Sequence, residues 1–448
     1  MPAALTPALR AAVPALLVCA AAAYAAPNLP PAADTTLLVS RQADRDGGGK
    51  GGARSVSPSI SGDGRYVAFV SAARNLSGED RDGVRDVFVR DLLRGTTVLV
   101  SRANGPRGAA ANGDSLRPRI SAGGRYVAFE SSASNLSAAD GDRKLHVYVR
   151  DLRRNRMRLA SRADGRGGAV ASAHATGASI SADGRLVAFD SPAANLTNAD
   201  DDGAGNRYDV FVRDLRRGRT ELVSRASGPR GLAGSASAQA RISADGRWVA
   251  FDSGSAHLTR EGNRAVLEVY VRDLRRKRTL LVSRARGRRG RPAAMTASQP
   301  VISAHGRYVA FESRDRRLGP GDGSRFDLFV RDLRRHTTRL VSPAAPAARG
   351  GGEAPPECYS ISGNGRYVAF ERLAAARTAV FVRDWRRGRT LFASRATGAE
   401  GTPAGEDSGC PSLSGSGRVV AFESAAGGLD PLDADQSEDV FVRGLSWP

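Results

Sequence analysis

The amino-acid sequence predicts an all-β fold: a single seven-bladed β-propeller of four-stranded antiparallel blades, closed by an N-terminal strand that completes the last blade. Three observations carry this. The stretch SISGDGRYVAF, residues 59–69, returns six times, as RISAGGRYVAF, SISADGRLVAF, RISADGRWVAF, VISAHGRYVAF, SISGNGRYVAF and SLSGSGRVVAF, ending at Phe129, Phe189, Phe251, Phe311, Phe370 and Phe422. Each of the first six copies is followed by two further alternating, β-branched stretches. The last copy stops after DVFVRGLSWP without a fourth strand, while TTLLVSR, residues 35–41, stands before the first copy with nothing to pair with.

From the N-terminus, residues 1–25 read as a secretory signal: Arg10, an uncharged apolar run, and Ala23 and Ala25 on either side of Tyr24, with cleavage after Ala25. The run is too short, and too broken by Pro14, for a spanning helix, so the mature chain is expected to have no transmembrane segment. It is expected to be secreted or held in the periplasm or cell envelope. A lipid anchor on Cys19 would put Val18, a large residue, just before the lipidated position. Residues 26–34 form a linker and residues 35–448 the propeller, with repeats starting near 57, 117, 177, 239, 299, 358 and 410. The net charge is +21, and loss of Arg10 with the signal leaves +20, almost all of it Arg because Lys occurs only at 50, 144 and 277. A balance this basic favours anionic partners.

Measured from the Ile or Leu of the first short strand, the copies lie at Ile60, Ile120, Ile180, Ile242, Ile302, Ile361 and Leu413. A fixed period of this kind marks a repeat architecture, in which no unit can bury its apolar faces alone. The four strands of the first copy are the SIS segment, YVAF (66–69), DVFVRD (86–91) and TTVLVSR (96–102). Val67 and Phe69 face one side of the second strand while Tyr66 and Ala68 face the other, so both sides are buried once sheet stacks on sheet around an axis. Gly64, Gly124, Gly184, Gly246, Gly306, Gly365 and Gly417 hold one turn position, where a two-residue hairpin needs positive φ. The N-terminal strand then removes the free edge that the incomplete seventh copy would leave.

The pattern S-x-D-G-R-x-V-A-F, D-V-F-V-R-D-L and T-x-L-V-S resembles the WD40-like repeat of TolB-type propellers, also seen in propellers of prolyl-oligopeptidase relatives. The GH and WD dipeptides of true WD40 repeats are missing. TolB itself joins six blades to an N-terminal α/β domain and the peptidase relatives carry a hydrolase domain; neither extra domain is expected here. Some similar polysaccharide lyases build a metal site from His, but His146, His174, His257, His305 and His336 are scattered.

Residues demanded of every blade belong to architecture. Arg65, Arg125, Arg185, Arg247, Arg307, Arg366 and Arg418 of the G-R step, and Arg90, Arg150, Arg213, Arg272, Arg331, Arg383 and Arg443 of V-R-D, are expected to pair with a nearby Asp such as Asp91. Function is therefore sought where the copies diverge. In a propeller the a–b and c–d turns share one face and the b–c and d–a loops the other. The short c–d turns are basic, with Arg216, Arg217 and Arg219 in blade 3 and Arg275, Arg276, Lys277 and Arg278 in blade 4 as a candidate anion-binding rim; a merely solvated charged rim is the alternative. The long d–a loops, including ARGRRGRP at 285–292, are placed on the opposite face, with the acidic loops of blades 1 and 7. There Asp80, Asp82 and Asp86 share a D-x-D-x-x-x-D spacing with Asp433, Asp435 and Asp439, and Asp200, Asp202 and Asp209 form a looser version. Carboxylates in flexible geometry suit calcium, although the last Asp of each set can instead bond backbone amides. No other cofactor is expected. Asn75, Asn135 and Asn195 of N-L-[ST] sit at one place in three consecutive repeats and read as loop anchors rather than glycosylation sites.

Cys358 and Cys410 hold the same position in adjacent blades, beside the axis, where Ser57, Arg117, Gly177, Gln239 and Gln299 stand in the others. Export supplies an oxidising compartment, so a disulfide is expected, with two buried thiols as the alternative. There is no G-x-S-x-G elbow and no catalytic Cys pattern. The expected function is that of a monomeric, exported, non-catalytic binding or scaffold protein whose partner is an envelope protein or an anionic polymer; export makes nucleic acid a poor match. The alternative is an enzyme or enzyme remnant, a lyase or hydrolase, acting on an acidic glycan or peptide at the central funnel.

Overall fold

The computed structural model of the protein describes residues 31–197, 207–234, 236–262, 266–320, 326–342, 358–374 and 377–447; the signal segment and Cys19 lie outside them. Seven four-stranded antiparallel sheets make up the fold. Blade 1 runs outward from the axis as strand a (Ser55–Ile60), b (Tyr66–Ser71), c (Asp86–Asp91) and d (Thr96–Leu99). The innermost strands of blades 2 to 6 are Ser115–Ile120, Thr176–Ile180, Ser237–Ile242, Ala297–Ile302 and Tyr359–Ile361. Blade 7 consists of Ser408–Leu413, Val419–Ser424 and Asp439–Gly444, with Thr36–Leu38 as its outer strand. Leu37 sits opposite Val442, and Asp34 N–H donates to Gly444 O at 3.0 Å, so the two ends of the chain close the ring as expected.

Alternation along strand b buries both faces of every blade. Val67 and Phe69 pack against Val419, Ala421 and Val440 of blade 7, whereas Ala68 and Val70 pack against Val127 and Phe129 of blade 2. Within a blade the b and c strands stack their aromatics, Phe69 on Phe88 at 5.8 Å and Phe129 on Tyr148 at 6.0 Å between centroids. Fully buried Phe side chains of this kind each stabilise the fold by about 1.5–3 kcal/mol relative to exposure.

Three local expectations are corrected. The a–b turn is wider than a two-residue hairpin: Ser61 N–H donates to Tyr66 O and Gly64 N–H donates back to Ser61 O, while Asp63 accepts from Arg65 N–H. Gly64 does take φ 78°, and its counterpart Gly124 meets a second constraint, because a Cβ there would lie 2.1 Å from the Tyr66 ring of the preceding blade. Strand a starts before the SIS segment, since a bulge at Ser57 (φ 56°) lets pairing resume on its other side.

The third correction concerns the d–a connections, which do not stay on the far face. Those among the described residues fold into hairpins, closed by bridges such as Arg102 with Ala110 and Arg284 with Pro292; the connection from blade 5 to blade 6 lies largely outside the described residues. The hairpin tip reaches the c–d turn of the next blade, where Gly105 N–H donates to Asn155 O (2.8 Å), Gly228 to Lys277 O (2.6 Å) and Gly287 to His336 O (2.7 Å). On the way, Asn104 Oδ1, Asp164 Oδ1 and Ser227 Oγ accept from the outer-strand N–H groups of Met157, Thr220 and Thr279. The hairpin thus covers the edge that strand d would expose. It also carries the basic stretch 285–292 onto the turn face.

Candidate functional site

The innermost strands enclose an axial channel of about 580 Å³. At the bulge, the backbone N–H of five inner strands meets a carboxylate on strand b of the preceding blade: Ser57 with Glu423 (2.6 Å), Gly177 with Glu130 (2.8 Å), Gln239 with Asp190 (2.7 Å), Gln299 with Asp252 (3.0 Å) and Cys410 with Glu371 (3.1 Å). Burial pushes Asp190 up to about 8, Glu312 and Glu423 up to about 7 and Asp252 up to about 6, against the hydrogen bonds that favour their charged forms. Sequence reasoning passed over these acids although the signal is plain: the residue after V-A-F is Asp or Glu in every copy except the first, which has Val70. Accepting hydrogen bonds from the next blade's backbone N–H groups makes Glu130, Asp190, Asp252, Glu371 and Glu423 ties between blades.

Two basic groups line the same channel. Arg119 and Arg241 stand where other blades have Ser59, Ser179, Ser360 and Ser412, whose hydroxyls accept from the next blade's Ile120, Ile242, Leu413 and Ile60 N–H. Arg119 donates to Pro118 O at 3.5 Å and Arg241 to Ala240 O at 3.0 Å; no ion pair joins either to a carboxylate among the described residues. Burial, with repulsion from Arg241, brings Arg119 down to about 9, still charged at neutral pH. Cys358 and Cys410 also line the channel and form the expected disulfide, with Cα atoms 4.7 Å apart, joining the inner strands of blades 6 and 7.

On the turn face the two families of repeated arginines separate. Arg65 pairs with Asp91 through two bonds of 2.8 and 2.7 Å, and the pair recurs from Arg125–Asp151 to Arg366–Asp384. The V-R-D arginine, by contrast, turns away from that Asp and clamps the preceding blade's hairpin. Arg331 donates to Arg284 O and Ala285 O (3.0 Å each), to Gly287 O (3.1 Å) and to Thr338 Oγ1 (2.8 Å). Arg150, Arg213, Arg272 and Arg443 grip carbonyls of their own preceding hairpins in the same way. Both sets are architectural; the second takes hairpin carbonyls as its main partners, and only Arg90 with Asp44 (2.7 Å) and Arg443 with Asp34 (3.4 Å) add an Asp, in each case one from the N-terminal segment rather than the Asp of V-R-D, among the described residues.

Beyond these fixed pairs lies the divergent rim. Asp214 Oδ1 accepts from the backbone N–H groups of Arg216 and Arg217 (3.0 and 2.9 Å), which fixes the turn. Arg216, Arg217, Arg219, Arg275, Arg276 and Arg278 are exposed, and none makes a side-chain ion pair among the described residues. Lys277 differs: it occupies the left-handed turn position (φ 51°) and pairs with Glu221 at 2.5 Å. Exposed Arg286, Arg288, Arg289 and Arg291 of the docked hairpin extend the same charge toward blade 5. A groove of about 460 Å³ between blades 3 and 4 is lined by Arg217, Arg219, Arg275 and Lys277, with Asp183 and Asp245 at its inner side. The result is a continuous basic band across three blades.

The acidic sets lie on the opposite face. In blade 7, Lys50 Nζ is 2.7 Å from both Asp433 Oδ1 and Asp439 Oδ2 and also bonds Asp435, so this set already holds a cation from the chain itself. Burial opposes the charge on Lys50, yet the three carboxylates hold its pKa well above the usual lysine value. In blade 2, His146 replaces the third Asp, with Nε2 3.1 Å from Asp142 Oδ1. Asp80, Asp82 and Asp86 of blade 1 also converge. In blade 3, Asp200 and Asp202 lie outside the described residues. Asn75 is the anchor expected, accepting from Gly52 N–H (2.8 Å) and donating to Lys50 O (2.9 Å).

No protein-family model matches the chain, and no curated protein matches its sequence. Solved structures match in fold. The β-propeller domain of the Trilobed protease from Pyrococcus furiosus matches at 11% identity and TM-score 0.50, over 87% of this chain and 95% of that one. A prolyl endopeptidase matches at 12% and 0.51, over 86% and 50%. TolB from Acinetobacter baumannii matches at 13% and 0.42, over 73% and 63%, so the chain spans less than two thirds of that protein. The chain is a β-propeller, similar in fold to the propellers of the Trilobed protease and the prolyl endopeptidase. At these identities the likeness concerns the fold alone.

Proposed function

We propose that this chain is an exported, non-catalytic binding propeller of the cell envelope, whose ligand is an anionic polymer held along the basic band of blades 3 to 5. The observation that carries this reading is the set of exposed guanidiniums of Arg216, Arg217, Arg275 and Arg276, on turns whose backbone is fixed by Asp214 and Asp273, and of Arg219 and Arg278, which open the outer strands just beyond them. Cations on a rigid rim attract a polyanion without ordering cost in the scaffold. The signal-like N-terminus and the disulfide support export. Equilibrium binding of labelled polygalacturonate across a salt series tests it. Reversing Arg216, Arg217 and Arg219 to Glu should weaken binding at low salt and flatten the salt dependence, while reversing Arg81, Arg143 and Arg260 on the other face should not. Equal loss from both triple variants would reduce the effect to net charge and remove the proposal.

A second reading, an enzyme or enzyme remnant acting on an acidic glycan or peptide in the channel, is supported by Arg119 and Arg241, which line the channel and could meet a substrate carboxylate. Chain shortening of an acidic oligosaccharide or peptide that Arg241→Gln abolishes would favour it.

A further inference from the structure

Three blades solve one electrostatic problem in different ways. The spacing D-x-D-x-x-x-[DH] brings its side chains together at the mouth of strand c in blades 1, 2 and 7. In blade 7 the centre is filled by the ammonium of Lys50, delivered by the hairpin that precedes blade 1. In blade 2 the third position is His146, whose ring contributes Nε2 to Asp142 and Nδ1 to Ser161 Oγ (3.2 Å), while Asp140 accepts from Tyr148 OH.

Blade 1 keeps all three carboxylates and gains none of these partners. The side chains of Asp80 and Asp86 are fully buried, with 0% of each residue exposed. Asp80 Oδ1 accepts from Asp82 N–H, and Asp86 Oδ1 from Ser101 Oγ, but the second oxygen of each is buried with no hydrogen-bond partner among the described residues. The neighbouring guanidinium of Arg74 donates to Asp82 O and makes no ion pair with the three acids. An unpaired buried carboxylate is costly enough that such groups pair or coordinate metal.

We infer that Asp80, Asp82 and Asp86 form a calcium site in blade 1, and that Lys50 replaces the ion at the equivalent place in blade 7. The donors are hard oxygens only, which selects calcium or magnesium over zinc and copper. The three donor atoms lie within 4.8 Å of one another, a span that an ion bonded to each at about 2.4 Å can bridge, and calcium accepts such irregular sets with water completing the shell where magnesium demands a near-ideal octahedron. The set is held for the ion in advance: Asp86 opens strand c, and Asp82 Oδ1 accepts from Val84 N–H at 2.9 Å to fix the loop between.

Calcium titration calorimetry on the full mature protein, stripped with chelator and kept in excess magnesium, tests the inference by difference. Asp86→Asn is expected to remove one equivalent of bound calcium, and Asp82→Asn, at an exposed position that holds no core contact, to weaken that equivalent by about tenfold or more. Lys50→Ala is expected to add one equivalent, because it frees the blade 7 set. Circular dichroism establishes that each variant is folded. The same stoichiometry and affinity in the parent, Asp82→Asn and Asp86→Asn would overturn the site in blade 1. No added equivalent in Lys50→Ala would overturn the equivalence of ammonium and ion.

Discussion

Replacing Arg331, a residue only 2% exposed, by Met leaves the stem of the side chain in place and removes only the guanidinium. Four hydrogen bonds disappear with it, to Arg284 O, Ala285 O, Gly287 O and Thr338 Oγ1, and three carbonyls of the blade 4 hairpin lose a buried donor. Each bond to a charged donor contributes about 1.5–3 kcal/mol net. The sum is reduced because the substitution also relieves the desolvation of a buried charge, and removal of one partner from such a buried set typically costs about 3–5 kcal/mol. With an unfolding entropy of about 2 cal/mol/K per residue, a cooperative chain of this length loses about 1 °C of thermal midpoint per kcal/mol, so a drop of about 3–6 °C is expected by calorimetry. The control, Arg334→Met on the exposed turn beside it, should shift the midpoint by less than about 1 °C. Hydrogen exchange adds a local readout: amides of residues 284–291 should lose protection in Arg331→Met while strand b of blade 5 keeps it. An unchanged midpoint together with unchanged protection in that hairpin would refute the clamp.

Alkylation and mass spectrometry of the unreduced mature protein should find no free thiol at Cys358 or Cys410, and reduction should lower stability by about 4 kcal/mol by the chain-entropy relation for a loop of this size. Deleting residues 33–40 should expose strand c of blade 7 as a free edge and give concentration-dependent association by light scattering; a monodisperse variant with the parent's midpoint would remove the closure from the account. Asp190, Asp252, Glu312 and Glu423 keep protons in the fold that the unfolded chain has already released above about pH 4. Their contribution to stability is therefore complete below that pH and is lost as pH rises through about 8, so the midpoint should fall from pH 5 to pH 8. Glu423→Gln, which keeps an acceptor for Ser57 N–H, should flatten that fall; a midpoint that climbs across the range would contradict the burial of these acids.

Blade number and ring closure were legible in the sequence because they rest on local periodicity: the V-A-F and V-F-V alternations bury both faces of each sheet, and an orphan strand at one end matches a missing strand at the other. The path of the d–a hairpins was not. Stretches such as ANGPRGAA have no apolar period, and their destination is set by carbonyl acceptors for an arginine of the next blade, which no spacing announces. The same holds for Lys50, which meets Asp433 across 383 residues only because the ring closes. The channel carboxylates were visible in the repeat itself, one residue beyond V-A-F, but their role depends on a bulge in the neighbouring blade. Arg216, Arg217, Arg275 and Arg276 lie in the c–d turns as expected, whereas Arg219 and Arg278 open the outer strands and Lys277 proved partly structural.

Hydrogen-exchange footprinting of the mature protein with and without saturating polygalacturonate addresses the basic band most directly, because it reports where a polyanion sits rather than whether charge matters. Slowed exchange is predicted in the turn peptides around 214–219 and 273–278 and in the hairpin 285–291, with no change in the channel strands around Arg119 and Arg241. Protection confined to those channel strands, or no protection anywhere under conditions where the polymer is bound, would contradict the band as the binding surface.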